Sequence, residues 1–138
     1  MQIKINLPPK SCPRPRVSRY GTYYPKPYKD WLKQARALLS GVEPSHIIVL
    51  LFVIHRPKRL KGTQRELHTK KPDLDNLQKA VFDALPFDDS IIHTCFSQKV
   101  YAAKEEEPHI IMIHGEQYQH CIMKMFKCLS VHMRKSVQ

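Results

Sequence analysis

Six aspartates occur in this 138-residue chain, and five of them, Asp73, Asp75, Asp83, Asp88 and Asp89, fall within seventeen consecutive residues. The rest of the chain is strongly basic, with 23 Lys and Arg against 12 Asp and Glu and a formal net charge of +11. A compact acidic knot in a cationic protein suits one chemistry above others, in which a hard metal ion meets nucleic-acid phosphate. Mg²⁺ prefers oxygen ligands, keeps several waters and binds through one or two carboxylates plus substrate phosphate. Asp73 and Asp75, with Asp89 brought in from the start of a following strand, could supply that set, with Asp88 the weaker candidate beside it. Lys79 lies four residues after Asp75, so both project from one helical face. Its ammonium could stabilise the added charge of a pentacovalent phosphate, or it could form an ordinary i,i+4 ion pair. Asp73 and Asp75 also have a plain reading, as an N-cap and a first-turn carboxylate favoured by the helix dipole.

The elements that must position these groups follow from the apolar pattern. Leu74, Leu77, Ala80, Val81, Ala84 and Leu85 recur at helical spacing, predicting a helix from Leu74 to Leu85 that begins at the aspartates. Tyr28, Trp31, Leu32, Ala35, Leu38 and Leu39 predict an earlier helix over 28–39, with Trp31 in the core and Gly41 just past its end. Residues 2–7 alternate as a strand with Ile3, Ile5 and Leu7 on one face. His46 to His55 is almost unbroken Ile, Val, Leu and Phe, the composition of a central strand buried on both faces. Ser90 to Tyr101 and His109 to His114 read as two more strands, expected to form an antiparallel hairpin across Lys104–Pro108. The fold class is therefore α+β, a small mixed sheet in the order β-α-β-α-β-β with helices packed on it. Residues 117–138, with Ile122, Met125, Phe126, Leu129 and Met133 along one side, suggest an additional C-terminal helix. It could dock on the domain, join a dimer interface or add a basic DNA-facing surface.

Positive charge is clustered. Residues 1–30 carry seven Lys and Arg against one Asp, residues 56–71 seven against one Glu, and residues 117–138 four against none. In the first cluster Arg14, Arg16 and Arg19 interleave with Tyr20, Tyr23 and Tyr24 in a stretch whose prolines (Pro8, Pro9, Pro13, Pro15, Pro25, Pro27) exclude helix or central strand. Such a segment can grip phosphate and stack on exposed bases, or pack down as a surface loop on its tyrosines. The second cluster, Arg56, Lys58, Arg59, Lys61, Arg65, Lys70 and Lys71, is a long polar connection that delivers the chain to Asp73 and is read as a DNA contact. The three consecutive residues Glu105, Glu106 and Glu107 read as a solvated loop. Cys12, Cys95, Cys121 and Cys128 show no CxxC spacing; a zinc site from His120, Cys121, Cys128 and His132 matches no standard finger, and ordinary thiols are expected. The longest apolar run, Ile47 to Ile54, is too short to span a bilayer, and the first seven residues lack the apolar core of a signal peptide, so a cytoplasmic protein without membrane contact is expected.

The run Lys71-Pro72-Asp73-Leu74-Asp75-Asn76-Leu77-Gln78-Lys79-Ala80-Val81-Phe82-Asp83-Ala84-Leu85, followed by Asp88-Asp89-Ser90, resembles the RusA family of Holliday-junction resolvases. Pro13-Arg14-Pro15-Arg16-Val17 with Tyr24, and Ile91 through Lys99-Val100-Tyr101, extend the resemblance over roughly residues 3–114. It implies a nuclease domain over residues 1–116, followed by the basic extension 117–138. It also implies a homodimer that nicks opposed strands of a four-way DNA junction symmetrically, with Mg²⁺ as cofactor (Mn²⁺ as a substitute) and no small-molecule cofactor. Position by position, Asp73, Asp75 and Asp89 match the family's metal-binding aspartates and Lys79 its catalytic lysine. Lys99 matches a basic strand position near DNA, and Asn76 and Asp83 are motif positions of a structural kind. The family's usual setting implies a phage or prophage source and a nucleoid-associated place in a bacterial host. Two departures stand out: only Pro86-Phe87 separates Asp-Ala-Leu from Asp-Asp, where relatives carry a longer glycine-containing link, and Ile91 stands where Gln is frequent. The alternative reading is a non-cleaving DNA-binding or regulatory relative.

Overall fold

The structure, a computed structural model, describes residues 1–115. Its centre is β4 (Ile47–Ile54), the middle strand of a five-stranded sheet. With β1 (Gln2–Ile5), β5 (Glu66–Leu67), β6 (Thr94–Tyr101) and β7 (His109–His114), the order across the sheet is β1-β7-β4-β6-β5. β4 pairs in parallel with β6 and antiparallel with β7, so the sheet is mixed. Two helices, α1 (Lys26–Leu39) and α2 (Leu74–Ala84), complete the expected α+β order.

Both helices cover one face of the sheet. Ile48, Leu50 and Phe52 of β4, Ile110 and Met112 of β7, and Ile5 of β1 meet Tyr28, Trp31, Leu32, Ala35 and Leu39 of α1 and Leu77, Ala80, Val81 and Ala84 of α2 in one core. Ile3 and Leu7 pack on the same cluster, as their alternation with Ile5 requires. The other face is thinner: Val53, Val100 and Ala102 make a small second cluster, while Val49 and Leu51 are half-buried. Burial of β4 on both faces is therefore complete only on the helix side.

Several expectations need correction. β6 and β7 are not a hairpin: they run antiparallel, but β4 lies between them and each hydrogen-bonds to it. β4 is the most continuously apolar strand, so the central slot between two partners buries the most, and the connection through Glu105–Glu107 crosses its end. The strand read from Ser90 starts only at Thr94, because Asp89–Ile91 forms a 3-10 turn. The proline-rich entry segment contains a separate two-stranded sheet, β2 (Arg16–Ser18) with β3 (Gly21–Tyr23), and α1 begins two residues early, with Pro27 in its first turn, where a missing N–H costs nothing. Within α1, Leu38 faces outward at 53% exposure. Ser40 closes the helix in right-handed conformation, so Gly41 is not a left-handed cap. Trp31 is core as expected, its indole N–H donating to the Pro8 carbonyl at 2.9 Å. Among the described residues Cys12 and Cys95 are free thiols, and no helix is long and apolar enough to cross a membrane. The C-terminal helix and the His120/Cys121/Cys128/His132 reading lie outside the described residues.

Candidate metal and nucleic-acid site

The chain reaches α2 along a clamped path. After β5, the His68 N–H donates to the Lys99 carbonyl at 3.0 Å, and the His68 ring packs 4.2 Å from that of Tyr101. Burial, with the Lys99 charge behind it, pushes the His68 imidazole below its usual range, favouring the neutral ring. The Lys99 ammonium then donates to the Lys70 carbonyl and, at 2.6 Å, to the Pro72 carbonyl, immediately before Asp73. Asp73 takes the N-cap position with extended backbone, yet its carboxylate makes no capping hydrogen bond. Its nearest cation is Lys71 at 3.7 Å, an exposed pair. Asp75, in the first turn, accepts from the Asn76 N–H at 2.9 Å through one oxygen only. Two exposed carboxylates therefore stand at the start of α2 with lone pairs free.

Asp88 and Asp89 lie elsewhere. α2 runs antiparallel to β6: Pro72 is tied to Lys99 near the end of that strand, Gln78 accepts from the Ser97 hydroxyl at 2.9 Å midway, and the helix ends toward Thr94. His46 Nδ1 lies 2.9 Å from the Ile91 carbonyl oxygen, fixing the 3-10 turn at that far end. Eleven helical residues span about 16 Å, so one chain does not bring Asp89 to Asp73 and Asp75. Consistently, among the described residues no three His, Cys, Asp or Glu side chains gather as a metal-holding group. Hydrogen bonding separates the two neighbours at the turn. Asp88 caps it, accepting from the Ser90 N–H at 2.9 Å, and that bond holds its carboxyl below the ordinary range. The Asp89 side chain has no such engagement among the described residues.

Lys79 does not pair with Asp75. Its ammonium sits 3.3 Å from Asp83, one turn further on, and that negative charge raises its pKa. Asp83 is the better anchored partner: its other oxygen accepts from the Tyr28 hydroxyl at 2.9 Å and the Cys12 thiol lies 3.8 Å away. Burial, followed by these contacts, pushes the Tyr28 phenol far up, so it stays a neutral donor. Asp83 is thus the link joining the entry segment, α1 and α2, the structural part expected of it, and the Arg36 guanidinium adds a bond to its backbone carbonyl at 3.2 Å.

The basic residues divide by what they touch. Arg56 is a builder: only 9% of its side chain is exposed, and it donates to the carbonyls of Lys61, Gln64 and Ala102 and to Glu66. Gly62 lets it in, with φ at +104° and a Cβ position only 3.0 Å from the guanidinium. Arg65 is taken up by Glu106, whose carboxyl that guanidinium holds down at about 2; of the three glutamates, then, one is an anchor. Lys99 holds the loop by its carbonyls. Arg56, Arg65 and Lys99 therefore shape the connection, and Lys58, Arg59, Lys61, Lys70 and Lys71 are the exposed cations it presents, as are Arg14, Arg16 and Arg19 in the entry segment. A second cation row escaped the reading of the sequence. Lys29, Lys33 and Arg36, at i, i+4 and i+7 on the outer side of α1, line a groove of about 560 Å³ with Tyr24 and Asp83, beside Lys79. The i, i+4, i+7 spacing is legible in the sequence beside the apolar stripe of the same helix.

The model of the family Endodeoxyribonuclease RusA matches residues 6–112. That stretch holds every element from the entry segment through most of β7, and all five clustered aspartates. The chain belongs to the RusA endodeoxyribonuclease family. A search of curated proteins gives no matching sequence.

Proposed function

We propose that this protein is a structure-selective endonuclease that resolves four-way DNA junctions, acting as a homodimer and requiring Mg²⁺. The observation that carries the proposal is the family match over residues 6–112, which includes the whole Asp and Lys set at α2. Asp73 and Asp75 fit a hard cation by donor chemistry, because both are exposed and neither is used up in capping the helix. The set that the resemblance implies includes a third carboxylate, Asp89, which among the described residues lies toward the other end of α2 from Asp73 and Asp75. Asp89 of a second, two-fold related subunit fills that place, which makes the site dependent on the dimer and gives two equivalent sites per junction. Bound there, Mg²⁺ supplies an activated water and a counter-charge for the scissile phosphate.

The chain's own groups do the remaining work. Lys79 turns from Asp83 to the phosphate; their ion pair is exposed and of the kind worth about 0–1 kcal/mol, so the exchange costs little. Tyr28 continues to satisfy Asp83 when Lys79 leaves. The loop cations Lys58, Arg59, Lys61, Lys70 and Lys71 and the α1 cations Lys29 and Lys33 hold backbone phosphates, so binding falls steeply with salt. The test is a labelled four-way junction beside linear duplex and single-stranded RNA, each with Mg²⁺ or EDTA. Paired symmetrical nicks confined to the junction with Mg²⁺ support the reading. Tight junction binding without nicks points to a non-cleaving relative, and preference for RNA overturns both.

A further inference from the structure

The ribbon β2–β3 stands apart from the rest of the molecule. Its two strands pair only with each other, and all six strand residues are exposed. Two strands with no face to bury are marginally stable by themselves, so this ribbon is not accounted for by packing. Its tip is nevertheless built. Gly21, at φ +119°, turns the chain with open space around it, and the Ser18 hydroxyl ties the turn, donating to the Gly21 carbonyl and accepting from the Tyr20 N–H, both at 3.2 Å. Tyr20 then projects at 85% exposure and Val17 at 82%. The Arg19 guanidinium lies 4.8 Å from the Tyr20 ring centroid and donates to its hydroxyl at 2.7 Å, so the ring is held in place by a cation and not by a core. Arg14, Arg16 and Arg19 have no acidic partner among the described residues.

An exposed ring steadied by a guanidinium, with Arg14 and Arg16 earlier in the same exposed segment and no carboxylate paired to them, complements a polyanion that offers flat π faces. We propose that the ribbon tip stacks Tyr20 on the nucleobase exposed where strands exchange at a DNA branch point, with Arg16 and Arg19 holding the flanking phosphates. Linear duplex offers those phosphates but no unstacked base, so the contact discriminates structure, not sequence. This deepens the junction-resolving reading and rests on it.

The experiment places 2-aminopurine at the crossing of a four-way junction and at the matching position of a linear duplex, and measures fluorescence and affinity for wild type, Tyr20→Ala and Tyr20→Phe. Wild type alters the fluorescence of the junction only. Tyr20→Ala loses that change and about tenfold in junction affinity, the scale of one base–aromatic stack, while duplex affinity moves by less than about twofold, within the span expected for an uninvolved contact. Tyr20→Phe keeps the signal, because the ring does the stacking. The stacking contact is overturned if Tyr20→Ala retains the fluorescence change, if it weakens junction and duplex equally, or if it alters the sedimentation mass, which would make the ribbon a contact between copies. Wild type that binds junction and duplex alike removes the junction reading and the stacking contact together; selective wild type with an unaffected Tyr20→Ala removes the stacking contact alone.

Discussion

Lys99 offers the sharpest separation between two roles for a basic residue beside the site. If it clamps the chain ahead of Asp73, Lys99→Met removes the donor to the Lys70 and Pro72 carbonyls and leaves the aliphatic stem in place. Hydrogen bonds to a charged group contribute about 1.5–3 kcal/mol each. Both carbonyls lie near the surface and recover some hydration, so a total loss of roughly 2–3 kcal/mol is expected. In urea, where small domains have slopes of about 1–3 kcal/mol/M, that moves the unfolding midpoint down by about 1 M or more. The second consequence is local: with Pro72 released, Asp73 loses its fixed approach, and cleavage slows even where the protein is fully folded. Affinity for linear duplex and its salt slope stay as they were. An unchanged midpoint, together with a salt slope shallower by about 0.9, the value of one lost phosphate contact, would refute the clamp and restore Lys99 as a DNA ligand.

Two further expectations concern the basic surfaces. Glu106 sits at about 2 in the folded chain against an ordinary 4.5, chiefly because Arg65 hydrogen-bonds its charged form. Stability from this pair is complete above the unfolded value and drains as pH falls toward 2, so wild type loses stability on acidification through that window more steeply than Glu106→Gln; parallel acid curves would contradict the pairing. Reversing charge on α1 with Lys29→Glu and Lys33→Glu, both exposed, should leave thermal unfolding within about 0.5 kcal/mol and lower the salt slope of DNA binding by about 0.9 for each phosphate released. A slope identical to wild type removes that row from the interface.

The fold was largely legible because its determinants are local and periodic. The stripes of α1 and α2 and the continuous apolar run of β4 each name their element. What was not legible were choices between partners. Nothing in Thr94–Tyr101 or His109–His114 says that both prefer β4 to one another; that follows from the burial gained at the centre of a sheet. The site divided in the same way. Asp73 and Asp75 can be placed from a helix start alone, and Asp83 is tied down by Tyr28 and Cys12, residues more than fifty positions away, as expected of a structural group. Arg56, Arg65 and Lys99 look in the sequence like any other cations. Only the carbonyls and carboxylates that fold back onto them distinguish builders from cations left exposed. Asp89 is the instructive one. Proximity in sequence suggested a shared site, and the length of α2 keeps it at the opposite end.

Whether the site is shared between subunits is tested most directly by mixing Asp73→Asn with Asp89→Asn protein, each inactive alone, and assaying a labelled junction with Mg²⁺. In a mixed dimer with shared sites, one site collects both substitutions and the other collects none. Nicking of a single strand per junction therefore returns, at a level set by the fraction of mixed dimers. If each chain assembled its own site, both sites of every mixed dimer would be broken, and the mixture would stay as inactive as its components.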